Sequence, residues 1–189
     1  MRRHLIVLVA VVAAIGAGFV LFLRHGMAPG ASPVPVGSDP VAASRLASKA
    51  VAALEKDPKF RREVTRDSGL RPICVARPFG VNPPSGTGAK AETIYAVIYC
   101  KWIPDSAQAA PIDTRQLMAL TGPIAVHLGS TTTYEMPSDG EHYESSLKKI
   151  FPSSLLGAAQ DGGDPPSMEQ ELDKRISRIL PTSPSPSST

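Results

Sequence analysis

The sequence predicts an α+β fold, a small antiparallel sheet of about four strands with flanking helices, preceded by one transmembrane helix. Three observations predict it. An unbroken apolar run comes first, two Asp-Pro helix starts follow it, and the hydrophobic period then changes from that of helices to that of strands. Without the apolar run and two Pro-rich stretches, about 120 to 130 residues remain, which is enough for one small domain.

The apolar run covers residues 5–23 and contains no charged or amide side chain. As a helix it would extend about 28 Å, close to the hydrocarbon thickness of a bilayer. Arg2 and Arg3 outweigh Arg24, so the positive-inside tendency places residues 1–4 in the cytoplasm and the C-terminal domain outside. We expect a retained signal anchor. The alternative is a cleaved signal peptide with its site at residues 26–28, which would make the protein secreted.

The positive charge of the chain is concentrated at this segment. The formal net charge is +3, from 20 Lys and Arg against 17 Asp and Glu, and three of the arginines flank the apolar run. The rest of the chain is therefore neutral, with 17 residues of each sign. A nucleic-acid partner, which requires a basic surface, is not expected.

The exported part begins with a spacer and two helices. Residues 24–38 are rich in Pro, Gly and Ser and are expected to form a spacer without regular structure. The folded domain is expected over residues 39–160. Asp39-Pro40 and Asp57-Pro58 each place a capping carboxylate before a proline at the first helical position. They predict one helix from Pro40 and a second from Pro58 to about Arg66.

Strand patterns follow the helices. Residues 73–81 and 93–103 are rich in β-branched and aromatic residues and predict a hairpin. Alternation makes one face of the second strand the core face, with Ile94, Ala96, Ile98, Cys100 and Trp102. We expect a short helix from Asp113 to Gly122, then strands over residues 124–128 and 131–136 that are joined by a turn at Gly129-Ser130.

Helices are predicted for the C-terminal part. Ser138 and Glu141 have the spacing of a capping box, before a helix whose buried stripe is Tyr143, Leu147, Ile150 and Phe151. Residues 161–180 form a linker and an amphipathic helix from Ser167, which we expect to dock on its own domain. The alternative is a partner helix. The Pro- and Ser-rich tail, residues 181–189, is expected to be disordered.

Cys74 and Cys100 are the two cysteines of the chain, and in an exported protein such a pair is expected to form a disulfide. With the hairpin loop centred near Thr87, the numbers of opposed residues sum to about 174, and 74 plus 100 is 174. A redox-active or metal-binding pair is the weaker alternative, because the chain has no Cys-x-x-Cys spacing.

No catalytic, cofactor-binding or metal-binding residue is predicted. The densest polar cluster combines residues 127, 135, 139, 141, 142 and 144, which include two histidines and four carboxylates. Asp139 and Glu141 are already explained by a turn and a helix start. The chain has neither the Gly-x-Ser-x-Gly pattern of a nucleophile elbow nor the Gly-Lys-Ser/Thr pattern of a phosphate loop.

The favoured function is a non-catalytic binding or assembly module of the bacterial cell envelope, on the outer side of the membrane. Expected partners are the membrane and an envelope protein or cell-wall component. Tyr95 and Tyr99 are candidates for an exposed aromatic patch, and Arg61 and Arg62 belong to a basic run near the spacer. A solvated face is the favoured interpretation of that run, because acidic residues are interleaved with it. An enzyme, a hydrolase acting on the envelope, is the alternative.

Overall fold

A computed structural model of the chain describes residues 33–37, 39–66, 69–83, 91–105 and 113–180. The predicted anchor, most of the spacer, the centre of the hairpin loop and the C-terminal tail lie outside these residues. No helix within the described residues has both the length and the apolar character that a bilayer crossing requires.

The described residues are built around a five-stranded antiparallel sheet in which each strand lies beside its neighbours in sequence. The strands are β1 (Val34–Pro35), β2 (Leu70–Asn82), β3 (Thr93–Pro104), β4 (Ala119–Leu128) and β5 (Thr132–Glu135). The prediction of about four strands missed β1, which pairs Val34 with Val81 and Pro35 with Gly80. Part of the predicted spacer therefore completes the sheet edge.

The hairpin register agrees with the sequence. Cys74 pairs with Cys100 across the hairpin and the two are joined in a disulfide, as the sequence predicted. Paired residue numbers sum to 174 as far as Pro78 and Ala96, and then a bulge at Phe79 shifts the sum to 175 for Gly80 and Tyr95.

The prediction of a helix from Asp113 to Gly122 is wrong. Asp113 caps only one short helical turn, Thr114–Gln116, and β4 begins at Ala119. The ladder with β3, which pairs Leu120 with Cys100, overrides the local helical pattern. Pro123 fits within β4 because β5 pairs with β4 only from Ala125 onward, so the missing N–H of the proline removes no bond on that side.

Two helices cover one face of the sheet. In α1 (Pro40–Lys56), Asp39 accepts a hydrogen bond from the Val41 N–H, and Asp57 caps α2 (Pro58–Arg61) in the same way. Both Asp-Pro starts are thus confirmed, although α2 is shorter than predicted. The buried side chains of the two helices are Leu46, Ala50, Val51, Leu54 and Phe60, and they pack on the predicted core face of β3.

Three helices cover the opposite face: α3 (Tyr143–Ile150), α4 (Leu156–Asp161) and α5 (Pro165–Ser177). The capping box at Ser138 and Glu141 does not form; the Ser138 N–H donates instead to Ser146 Oγ. In α5 the cap is Asp164 rather than Ser167, and Met168, Leu172 and Ile176 pack on β2 and β3. The C-terminal helix therefore docks on its own domain, and both faces of the sheet are covered.

Candidate functional site

A groove of about 600 Å³ runs along the outer edge of β2, between α1 and α5. We call it the β2-edge groove. Its α1 wall consists largely of small side chains, which are Ala43, Ser44, Ala47, Ser48 and Ala52. Such a wall leaves room for another chain to approach the strand closely.

The main chain of β2 determines which backbone hydrogen-bonding groups face the groove. The Cys74 N–H donates to Glu55 Oε1 (2.9 Å) and the Cys74 carbonyl accepts from Arg175, so the polar groups of Cys74 point away from β3. Backbone direction alternates along a strand, so Pro72, Ala76 and Pro78 also point outward. The two prolines have no N–H. Ala76 thus presents both an N–H and a carbonyl at the centre of this edge.

The charged side chains at the groove pair with one another. Arg77 Nη2 lies 2.6 Å from Glu171 Oε2, and Arg175 Nη1 lies 2.7 Å from Glu55 Oε1. These two ion pairs tie α5 to β2 and to α1. The groove therefore has charged walls that are internally neutralised and a floor of strand backbone.

A second cluster of charges lies under α5. The Lys101 side chain is 3% exposed, and its ammonium lies 2.9 Å from Glu169 and 2.8 Å from Asp173. Burial by itself lowers the pKa of Lys101, but the hydrogen bonds and charges of Asp173 and Glu169 outweigh it and leave the pKa raised. The pKa of Glu169 is lowered, chiefly by its bond to Lys101. Both carboxylates belong to a helix that packs on the sheet, so the cluster holds α5 in place.

The prediction of an exposed aromatic patch at Tyr95 and Tyr99 is wrong. Tyr95 is 7% exposed and its ring lies 5.9 Å from that of Phe151. Burial and then the charge of Glu135 raise its pKa. Tyr99 is partly buried beside α5, with the Lys101 ammonium 5.9 Å from its ring. Both side chains point to the face that the C-terminal helices cover, which the sequence did not reveal.

The two arginines of the basic run have different environments. Arg61 donates to the Leu70 carbonyl (2.7 Å) and pairs with Asp105, while its own carbonyl accepts a bond from the Trp102 indole. Arg62 is exposed. Arg61 therefore joins α2 to the ends of β2 and β3 with its side chain 33% exposed, and Arg62 is the more exposed of the two.

The polar cluster does not converge. Among the described residues, no three His, Cys, Asp or Glu side chains lie close enough together to hold a metal ion. His127 is hydrogen-bonded through Nδ1 to Thr93 Oγ1 (3.1 Å), on the neighbouring strand.

A separate groove of about 550 Å³ passes Asp139 and Tyr134. Burial and the hydrogen bond from the Tyr134 hydroxyl to Glu63 raise the pKa of that tyrosine.

The groove and the buried cluster both depend on residues that the sequence did not single out. Glu55 and Arg175 are 120 positions apart, so no local motif joins them. One signal was present for the other cluster, since Lys101 interrupts an apolar strand and Glu169 and Asp173 lie one turn apart on a helix.

Comparisons with protein-family models, curated proteins and solved structures found no match.

Proposed function

We propose that this chain is a non-catalytic binding or assembly module of the bacterial cell envelope, held outside the cytoplasm by residues 5–23 as a single-pass anchor. The β2-edge groove is the observation that carries the binding role. A short open strand edge beside a wall of small side chains suits an extended segment of another protein, which would add main-chain hydrogen bonds at Ala76. The partner would present small or apolar side chains toward α1.

The charges at the groove favour binding over hydrolysis. A hydrolase needs acidic or basic groups that converge on the substrate. At this groove the charged side chains pair with one another, Arg77 with Glu171 and Arg175 with Glu55. The buried Lys101, whose pKa is raised, pairs with Glu169 and Asp173 of α5 and does not line the groove. The ion pairs at the groove hold its walls in place. A partner would therefore be recognised through the β2 backbone and the shape of the groove.

Site-specific photo-cross-linking in intact cells tests the proposal. A benzophenone side chain at Ser44, which lines the groove, should capture an envelope protein. The matched control is the same group at Ala158, an exposed position on α4. Capture at Ser44 alone supports the proposal. Equal capture at both positions, or none at Ser44, would contradict binding at this groove.

A blocking substitution gives an independent measure. Ser44→Trp fills the groove with a large side chain and should lower the recovered partner about tenfold, as a loss of about 1.4 kcal/mol in affinity. Ser145→Trp, on the exposed side of α3, is the control for a new surface tryptophan. If the two variants recover the partner equally well, the groove is not its binding site.

A further inference from the structure

The sheet has a second edge at β5, and the groove of about 550 Å³ at that edge is lined by residues of α2, β5 and α3. We call it the β5-edge groove. Its charged residues include Lys59 of α2, Lys149 of α3, Glu135 at the end of β5 and Asp139 in the segment before α3. All four are exposed. The volume is within the range of about 300 to 1,000 Å³ that is typical of small-molecule sites.

The charges of the β5-edge groove do not neutralise one another. Within the part of the chain that the structure describes, none of these four side chains forms a salt bridge. The Lys59 ammonium lies instead 5.2 Å from the centre of the Tyr134 ring. The β2-edge groove differs, because both of its arginines are paired with carboxylates. Two cations and two anions at the β5-edge groove therefore remain available to a ligand.

Local structure does not occupy Asp139 either. The residue precedes the short helical turn Gly140–His142, but its carboxylate caps no backbone N–H. The turn and helix start that explained this acid in the sequence therefore leave its charge unused. Glu63, which also lines the groove, is different because it accepts a hydrogen bond from the Tyr134 hydroxyl.

We propose that the β5-edge groove binds a short peptide that has a free α-ammonium and a free α-carboxylate. The two lysines bind the carboxylate of the peptide, and Glu135 and Asp139 bind its ammonium. The half-buried side chains of Met136 and Ile150, which also line the groove, contact the apolar atoms of the peptide. Charge complementarity selects this class, because a ligand of one sign leaves the groove charges of the same sign facing it. The proposal is independent of the proposed function, since it concerns the opposite edge of the sheet.

The probe is the dipeptide Ala-Ala, compared with N-acetyl-Ala-Ala, which lacks the ammonium, and with Ala-Ala amide, which lacks the carboxylate. Each is titrated into the full chain, purified in an uncharged maltoside detergent, and the NMR shifts of backbone amides give its Kd. Ala-Ala should shift the amides of Tyr134 and Ser138, which line the groove. It should bind about tenfold more tightly than either blocked form, because each blocked form loses one charge-assisted contact.

Neutral variants identify the side chains. Lys59→Gln with Lys149→Gln should weaken the binding of Ala-Ala about tenfold. The same variant should not weaken Ala-Ala amide, because that form has no carboxylate for the lysines to bind. Glu135→Gln with Asp139→Asn should likewise weaken Ala-Ala but not N-acetyl-Ala-Ala, which has no ammonium. This pairing of each variant with one blocked form assigns each end of the peptide to its own side chains.

The matched control removes one charge of each sign outside the groove. Lys174→Gln with Asp161→Asn, at exposed positions of α5 and α4, should leave the Kd of every probe unchanged. An equal Kd for Ala-Ala and for either blocked form would overturn the proposal, and this comparison needs no variant. The absence of saturable shifts at Tyr134 and Ser138, or an equal loss of binding in the control and the groove variants, would also contradict it.

Discussion

At the scale of single residues, Lys101 is a buried cation whose two carboxylate partners are partly exposed. Its ammonium is buried, whereas its partners Glu169 and Asp173 are 43% and 34% exposed. Water reaches the carboxylates but not the lysine. Removing the lysine therefore leaves two hydrated anions, while removing the anions leaves a cation that has lost its solvation.

We expect the two deletions to differ in cost. Lys101→Met keeps the apolar stem and should lower the free energy of unfolding by about 1 kcal/mol. Glu169→Ala with Asp173→Ala should lower it by about 2 to 3 kcal/mol, less than for a fully buried pair because the carboxylates are partly hydrated. Urea unfolding measures both through Trp102, the single, buried tryptophan of the chain.

The control for this comparison is Lys174→Met. It removes an exposed charge from α5, the helix that carries Glu169 and Asp173, and should change the free energy of unfolding by less than about 0.5 kcal/mol. An equal loss for Lys101→Met and for the double alanine variant would contradict the asymmetry.

The same cluster predicts a pH dependence. The pKa of Glu169 is lowered from its ordinary 4.5, so its contribution is present above that value and is lost as pH falls through the lower folded-state pKa. The pKa of Lys101 is raised from 10.5, so its contribution is present below that value and is lost as pH rises through the higher folded-state pKa. The stability difference between the wild type and Lys101→Met should therefore be constant from about pH 6 to 9 and shrink outside that window. A difference that grows in acid would refute the pairing.

At the scale of elements, the contact between β2 and the turn before α4 leaves no spare volume. A Cβ at Gly80 would overlap the Leu155 side chain, which is 1% exposed. Gly80→Ala should therefore cost about 1 to 3 kcal/mol in unfolding free energy. Combined with Leu155→Ala, it should cost less than the sum of the two single changes, because the smaller side chain opens the space.

Gly157 provides the matched control. It lies in α4 and an added Cβ there meets nothing within 4 Å, so Gly157→Ala should stabilise the protein by about 0.5 to 1 kcal/mol. Additive costs for Gly80→Ala and Leu155→Ala in urea unfolding would show that the two positions do not compete for space.

The disulfide supports the central hairpin. It joins residues 26 positions apart, and in the chain-entropy model such a loop contributes about 3.5 kcal/mol. Cys74→Ala with Cys100→Ala should lower the urea midpoint accordingly. Mass spectrometry of the non-reduced wild-type protein should show the loss of two hydrogens. Two free thiols in that sample would contradict both the pairing and the oxidising compartment.

At the scale of the whole molecule, the prediction that remains is the retained anchor. If residues 5–23 stay attached, protein extracted from membranes should have the mass of the full 189-residue chain, 19.9 kDa. A mature chain that begins near Pro29 would identify a cleaved signal peptide, and the domain would then be secreted with its fold unchanged. Intact-mass spectrometry distinguishes the two.

The elements that the sequence predicted well depend on short-range patterns. Asp39 and Asp57 start helices because a carboxylate and the amides it caps are neighbours in the chain. The pairing of Cys74 with Cys100 follows from counting outward from one loop. The helix predicted before Gly122 failed for the opposite reason, since β4 forms its ladder with a strand about twenty residues earlier.

By itself, the sequence therefore determined the two helix starts, the hairpin register, the disulfide and one core face of the sheet, because periodicity and capping act over a few residues. Only the tertiary structure decided that the second face is also covered, and that Tyr95 and Tyr99 point toward it. Lys101 meets Glu169 and Asp173 across 68 and 72 positions, and Glu55 meets Arg175 across 120. Contacts at such separations follow from the packing of helices on a sheet, which no local pattern encodes.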